Sequence, residues 1–473
     1  MNVTQVALRP TAASDRAGRP ALAPELLAAC GARYSRNNEG LEAILAKIDP
    51  RQPEKAVDAI FRMVDYGHQS IADMVPVAMF IDGISLWLAY YLWTLCPTAG
   101  GQESSTRYLK VSSEGLVPAE QLGIQDVPAW RQSMEHCFQA YQAALKLWEE
   151  LAAREPAWMG IPKSLLEEAS EAARKKIQRL KRNYAFDRAR YFLPAAAATN
   201  VMLLMSARGW VTLCQYLFSQ TLPEARRLGE LVRAELRLCA PRLIKHARPL
   251  EPTARAIARE FDKCVALARR EIPASLAADA PAPAGESAVP FVLAVVPPGI
   301  SHEDLTRDLA GHENRYAPIG SSLQRTSVRF GWSAIAFAEI RDLNRHRTGT
   351  KYCPQAPRGF YCALDQVPAP AAEHREQAAT LAQLAAVGRR ASAQAASLLR
   401  SAEPTYIYWT LLGTEYPFEH VTTADKFIYE AELRTGLGAH FRYAKHLRDA
   451  LALFYRQFPA TKGLILEGSA EPE

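Results

Sequence analysis

The chain has 473 residues, 49% of them hydrophobic and 22% charged, a composition that buries a sizeable core and excludes a disordered or fibrous protein. Its 56 Lys and Arg against 50 Asp and Glu leave a net charge of +6, too small for a nucleic-acid footprint but suited to an anionic small ligand. Eight cysteines at 30, 96, 137, 214, 239, 264, 353 and 362 form no Cys-x-x-Cys pair, which argues against a zinc site or disulfide scaffold and for a reducing cytosol.

Residues 1–24 carry Arg9, Arg16 and Arg19 without an apolar stretch and are expected to be disordered, with no secretory signal. The segment from Val75 to Cys96 has one charge, Asp82, over a length that would cross a bilayer. Gly83 and Ser85 interrupt it and no basic cluster closes it, so a buried strand running into a helix is preferred to a membrane span. Helices are expected at 126–153 and 223–246, and a basic one at 164–182 opened by a capping box of Ser164 and Glu167. Its cationic face is read as solvated, not as a nucleic-acid site. Ala189 to Ser219 reads as one or two buried helices after Pro194.

Residues 273–289, PASLAADAPAPAGESAV, cannot build a core and read as a linker. Beyond it, 290–296 is a buried strand and 324–330 a second strand. Residues 332–344, 374–402 and 425–457 are helical, the last broken near Gly436 and Gly438. Each half runs short strands, a helix, an Arg-bearing loop, then long helices, the pattern of a domain duplication. The expected division is a first domain at 25–250, a helix end and linker at 251–289, and a second domain at 290–473.

Glu103, Ser105 and Arg107 stand at alternate positions after Gly100-Gly101 and would share one side of an extended segment. They suit a phosphorylated, hydrogen-bonding ligand, or a solvated loop with one ion pair. Arg345-His346-Arg347, with Arg341 a helical turn earlier, suits a pyrophosphate, or a basic surface turn. Arg434 lies on a long helix followed by His440, Arg442 and His446, of which only the last two are spaced to share a face. Arg190 and Arg208 sit inside apolar sequence, so each should meet a carboxylate, with Asp187 or Glu224 available, or an anionic ligand. The Gly-rich dinucleotide and Walker loops, Gly-x-Ser-x-Gly and His-Glu-x-x-His are missing, and no metal site is expected.

These residues resemble the flavin-dependent thymidylate synthase family, present twice. Its Arg-His-Arg-x-x-Ser-x-Asn-Glu-x-Ser-x-Arg-Tyr signature is split. Glu103-Ser104-Ser105-Thr106-Arg107-Tyr108 matches one end in the first half, where Leu95-Cys96-Pro97 replaces Arg-His-Arg. Arg345-His346-Arg347 matches the other end in the second half, where Cys353, Gln355 and Pro357 replace Glu, Ser and Arg. Ala32-Arg33-Tyr34-Ser35, Gly67-His68-Gln69-Ser70, Ala189-Arg190-Tyr191-Phe192-Leu193-Pro194, Ser206-Ala207-Arg208 and Leu433-Arg434 are similar to further family elements.

The resemblance implies an α+β fold of two fused, helix-rich copies. It implies reductive methylation of dUMP or a related pyrimidine nucleotide, with FAD as cofactor and methylenetetrahydrofolate and NADPH as co-substrates. Nucleotide contacts would come from Glu103, Ser105, Arg107, Arg190 and Arg341, flavin contacts from Arg345, His346, Arg347, Arg208, His68 and Ser70, and Arg434 would polarise the pyrimidine. It further implies one composite site, a cytoplasmic location without membrane or nucleic-acid partners, and a homodimer forming a pseudo-tetramer. The alternative is a non-catalytic relative that binds a nucleotide or regulates.

Overall fold

The computed structural model describes residues 1–6, 22–34, 41–49, 51–65, 69–106, 113–154, 161, 163–270, 288–367, 374–436 and 439–468. All but the last two residues of the expected linker lie outside these. In chain order the first elements are β1 (Asn2–Val6), α1 (Pro24–Tyr34), α2 (Leu41–Ala46), α3 (Pro53–Asp65), α4 (Ser70–Asp73), β2 (Pro76–Ser85), α5 (Leu86–Leu95), β3 (Gly100–Glu103) and α6 (Ala119–Leu122). Then come α7 (Val127–Arg154), α8 (Lys163–Glu167), α9 (Glu171–Ala189), β4 (Ala198–Ser206), α10 (Ala207–Ser219), α11 (Pro223–Cys239) and α12 (Glu251–Arg270). The rest are β5 (Pro290–Val295), α13 (His302–Leu309), α14 (Ser321–Arg325), β6 (Ser327–Ala336), α15 (Phe337–Leu343), β7 (Thr350–Tyr352), β8 (Gly359–Phe360), α16 (Arg375–Arg400), β9 (Thr414–Thr423), α17 (Ala424–Arg434) and α18 (Phe441–Gln457).

The chain packs as two units. One comprises Met1–Val111, Gly115–Gln125 and Ala197–Phe261, the other Ser112–Glu114, Asp126–Ala196 and Asp262–Glu473.

In the first unit an antiparallel sheet has the order β1-β2-β4-β3. The apolar run beginning at Val75 is strand then helix, as expected. Ser85 makes the junction: its Oγ accepts from the Leu88 N–H at 3.0 Å, satisfying one of the orphan donors of α5, while its own N–H and hydroxyl donate to buried Glu224 at 2.8 Å each. Among the described residues no helix is long and apolar enough to cross a membrane.

Two expectations fail here. Residues 2–6 are not disordered: Asn2 to Val6 pair with Asp82 to Ala78 of β2, and the Gln5 N–H reaches Glu235 at 2.8 Å. Backbone pairing at a sheet edge makes this strand, whose only buried side chain is Val3. Nor is the run after Pro194 wholly helical. Ala198–Ser206 is the inner strand β4, and the helix begins only at Ala207, capped by Ser206. A short apolar run has no period that separates strand from helix.

The second unit holds an antiparallel sheet of order β5-β6-β9-β7, with β8 also on β9. In both sheets the ten-residue strand preceding a helix shifts register near its end, between Ile81 and Ile84 in β2 and between Trp332 and Ile335 in β6. β5 is an edge strand with Phe291, Leu293 and Val295 left 37%, 54% and 57% exposed, which corrects its reading as buried. β6 extends to Ala336, so the helix expected from 332 starts at Phe337. Ser164 is the second residue of short α8, and the long basic helix is capped instead by Ser170, whose side chain accepts from the Ala173 N–H.

The domain boundary also differs from expectation, since residues 126–196 pack in the second unit. The backbone bonding of Tyr191–Ala195 explains this. The Ala195 N–H donates to Thr410 O at 2.9 Å, while the Leu412 and Gly413 N–H groups donate to Leu193 O and Tyr191 O at 2.8 and 2.7 Å. Trp130 adds an indole bond to Tyr408 O at 2.9 Å, and Cys137 shares a core with Ala391 and Leu411.

Candidate functional site

The second unit concentrates buried charge between α15, α17, α18, β9 and the turn Arg190–Phe192. Carbon-rich interiors tolerate such groups only when they are paired.

α17 ends on Arg434, whose Nε–H donates to His346 Nε2 at 2.8 Å. Acceptance at Nε2 fixes a neutral imidazole with its proton on Nδ1. Burial agrees, lowering His346 to about 4 against the pull of Glu430 and with the help of Arg434. Among the described residues the two Nη atoms of Arg434 make no hydrogen bond, although the residue is only 8% exposed. Its guanidinium lies 5.7 Å from the Tyr443 ring centroid.

The loop after His346 is tied from below. His420 donates from Nε2 to Thr348 O at 2.7 Å, and the Lys351 ammonium donates to His346 O. His420 Nδ1 faces Glu430 Oε2 at 3.2 Å. Burial would raise the Glu430 carboxyl, but His346, His420 and Lys351 hold it at about 2. Gly349 has φ +70°, and a Cβ there would stand 2.1 Å from Val421 O. Gly349→Ala is therefore expected to cost at least about 1–2 kcal/mol from the left-handed backbone alone, read as a lowered urea midpoint.

A second group centres on α15. Arg190 Nη2 bonds Asp342 Oδ2 at 2.9 Å, and Tyr191 OH donates to Glu339 Oε1 at 2.8 Å. Glu339 Oε2 accepts from the Ala336 N–H at 3.0 Å, with Arg442 Nε at 3.7 Å and His446 Nε2 at 4.0 Å. Burial pushes the Glu339 carboxyl up to about 7, with Arg442 and Arg190 opposing. Arg442 lies 3.1 Å from the Tyr361 ring centroid and 3.4 Å from Glu415. His440 caps α18, accepting from the Arg442 N–H at Nδ1 and donating to Asp187 O at 3.1 Å. His440 and Arg442, two apart, share no helix face, yet capping brings both into one buried cluster.

Of the residues singled out in the sequence, Arg190, Arg341, Arg345, His346, Arg347 and Arg434 belong to this second unit. His346 points inward while Arg345 is exposed, so the basic triplet does not act as one face. Burial and the charge of Arg345 together lower the guanidinium of Arg347. Glu103, Ser105, Ser70 and Arg208 belong to the first unit. β3 ends at Glu103, and Ser105 is exposed beyond it. Arg208 is not buried as expected: its side chain is 46% exposed and pairs with Asp73 at 2.8 Å. Ser70 is exposed at the start of α4, and His68 and Arg107 lie outside the described residues. None of the eight cysteines is in a disulfide, and no metal-binding cluster occurs among the described residues.

The sequence reading missed Glu339, Asp342, His420 and Glu430. A signal existed for the first two, acids three apart in FAEIRDL of α15, where the only other polar residue is Arg341. For His420 there was none, since an alternating strand carries polar residues on one face as a rule.

Residues 21–242 match the family model described as thymidylate synthase complementing protein. The UPF0159 protein Ta1429 of Thermoplasma acidophilum is 28% identical over 242 residues, 46% of this chain and 48% of that protein, so the match spans about half the length of that relative. A crystal structure of the UMP/dUMP methylase PolB from Streptomyces cacaoi bound with 5-Br dUMP aligns at 13% identity and a TM-score of 0.29, covering 52% of this chain and 93% of that one. A likeness at that score carries no argument.

Proposed function

Residues 21–242 belong to the thymidylate synthase complementing protein family, and on that premise we propose that the chain methylates dUMP, or a related pyrimidine nucleotide, reductively. The carrying observation is Arg434: a buried guanidinium, oriented through Nε by a neutral histidine, with its Nη donors unused among the described residues. Such a group is preorganised to stabilise negative charge developing on a pyrimidine carbonyl when C5 becomes nucleophilic. No cysteine nucleophile is needed, in keeping with thiols such as Cys96, Cys137, Cys214 and Cys362 that burial pushes up to about 12.

The residues present fit the diphosphate of a flavin dinucleotide, because Arg345 and Arg347 put two like-charged bidentate forks two residues apart, and a diphosphate would offer both a shared counter-charge. When bound, flavin supplies the electrons of the reduction. His346 then holds Arg434, while the Arg345 and Arg347 guanidiniums hold phosphate. Methylenetetrahydrofolate as one-carbon donor and NADPH as reductant complete this reading. So do a duplicated domain, suggested by the two sheets' shared strand order, a reducing cytoplasm suited to free thiols, and a homodimer that supplies four domains.

Incubating the purified chain with dUMP, methylenetetrahydrofolate, NADPH and FAD is expected to yield dTMP on chromatography, with Arg434→Ala losing about 10²–10³-fold in rate. Absence of dTMP under all flavin loadings overturns the catalytic reading. A second reading, a nucleotide-binding regulatory relative, is favoured by Arg190, whose guanidinium is committed to Asp342. It predicts no dTMP but a melting temperature raised by dUMP.

A further inference from the structure

We propose that Glu430 and His420 are positioning residues for Arg434, acting through the loop Arg345–Lys351, which His420 holds from β9 with Glu430 of α17 behind it. The inference rests on the reading of Arg434 and the basic triplet as ligand-facing, but the clamp itself is a matter of geometry. His420 is fully buried on the inner strand β9. One ring nitrogen donates to Thr348 O at 2.7 Å, and the other faces the Glu430 carboxylate at 3.2 Å.

Glu430 lies one helical turn before Arg434 on α17, so the two project from the same face. Glu430 therefore reaches the loop through His420, which it faces at 3.2 Å, while Arg434 bonds the loop directly at His346 Nε2. Lys351 returns from β7 to donate to His346 O and Thr348 O, closing the loop. Gly349 lets the chain pass against this clamp, since a Cβ there would lie 3.0 Å from His420 Nε2 as well as against Val421 O. A buried imidazole backed by a buried carboxylate, together with a lysine, thus bonds two carbonyls of the loop, those of His346 and Thr348. None of the three is needed to fill the core, which apolar side chains would fill at lower desolvation cost.

Glu432, two residues on, provides an internal control. It is equally buried but accepts from His312 at 2.9 Å and from the Leu466 N–H at 2.8 Å, with no bond to the loop.

Limited trypsin digestion followed by mass spectrometry reads the clamp without any activity assay, because Arg345, Arg347 and Lys351 are themselves cleavage sites. Losing a buried charge-assisted contact is expected to raise cleavage at these three sites about 10-fold or more in Glu430→Gln and in His420→Leu. Glu432→Gln is expected to lower the melting temperature while leaving loop cleavage within about twofold of wild type. His420→Gln, whose amide nitrogen can replace the Nε2 donor to Thr348 O, is expected to recover most of the protection.

Unchanged loop cleavage in both Glu430→Gln and His420→Leu overturns the proposal, as does equal loosening by Glu432→Gln, which would mark a general loss of stability. If the clamp variants loosen the loop while the wild type binds neither dUMP nor FAD, the proposed function fails and the positioning of Arg434 stands.

Discussion

Arg190→Ala is expected to destabilise the chain by about 3–5 kcal/mol, because it leaves a carboxylate without its partner inside the protein. The guanidinium is 7% exposed and bonds Asp342 at 2.9 Å, while Asp342 keeps 21% of its side chain in solvent. That residual hydration places the expected loss at the lower end. The double variant Arg190→Met with Asp342→Leu removes both charges and is expected to cost far less than either single change to alanine, since apolar packing replaces the pair without stranded charge. Urea midpoints at constant m-value measure all of this.

The experiment also decides what Arg190 is for. The family resemblance assigns it to the nucleotide phosphate, whereas the ion pair assigns it to holding the turn Arg190–Phe192 onto α15. A stable Arg190→Ala protein that loses dUMP affinity would return the residue to the phosphate. A strongly destabilised one fixes it as structural.

How much of this was legible in the sequence depended on whether the signal was local. The run from Val75 to Cys96 declared a strand entering a helix because Gly83 and Ser85 punctuate it, and Ser85 is the very residue that caps α5. The long helices α7 and α16 were plain from their extended amphipathic pattern. β4 was not, because Val201-Met202-Leu203-Leu204-Met205 reads equally well as a buried helix, and only pairing with β2 and β3 selects the strand. β9 was missed for a related reason: its Glu, His and Thr residues look like surface, yet His420 and Thr422 are buried.

In the candidate site the arginines were legible and their partners were not. A guanidinium in apolar sequence announces that it needs a carboxylate, but Asp187 and Glu224 were the acids in view, and Asp342 lies 152 residues from Arg190 along the chain. The same blindness covered Glu339 and Glu430. Their roles come from which groups surround them in space, and sequence spacing does not report that. It also covered the segment 126–196, whose packing against the second half is made in part by backbone bonds to Thr410–Gly413, to which side-chain patterns are indifferent.

Two of these buried groups are expected to cancel in the pH dependence of stability, and one substitution should uncover the other. Glu339 is raised from 4.5 to about 7, so between those values the folded chain binds more protons than the unfolded. Its contribution falls as pH rises, by about 3 kcal/mol across the window. His346 is lowered from 6.5 to about 4, so between those values the unfolded chain binds more protons. Its contribution is complete above pH 6.5 and lost on acidification toward 4, again by about 3 kcal/mol. From pH 5 to 6.5 the two slopes oppose, and the wild type should be nearly flat with respect to both groups.

Glu339→Gln removes the falling slope and should give stability that climbs with pH over that interval. His346→Gln, whose carbonyl can still accept from Arg434, removes the rising slope and should give stability that declines. Glu430 does not interfere, because its carboxyl, lowered from 4.5 to about 2, loses its contribution only below pH 4.5. Urea unfolding at half-unit steps from pH 5 to 6.5 measures the three profiles. A Glu339→Gln profile parallel to wild type would mean that the carboxyl is ionised in the fold throughout, held by Arg442 and Tyr191 more strongly than burial opposes it.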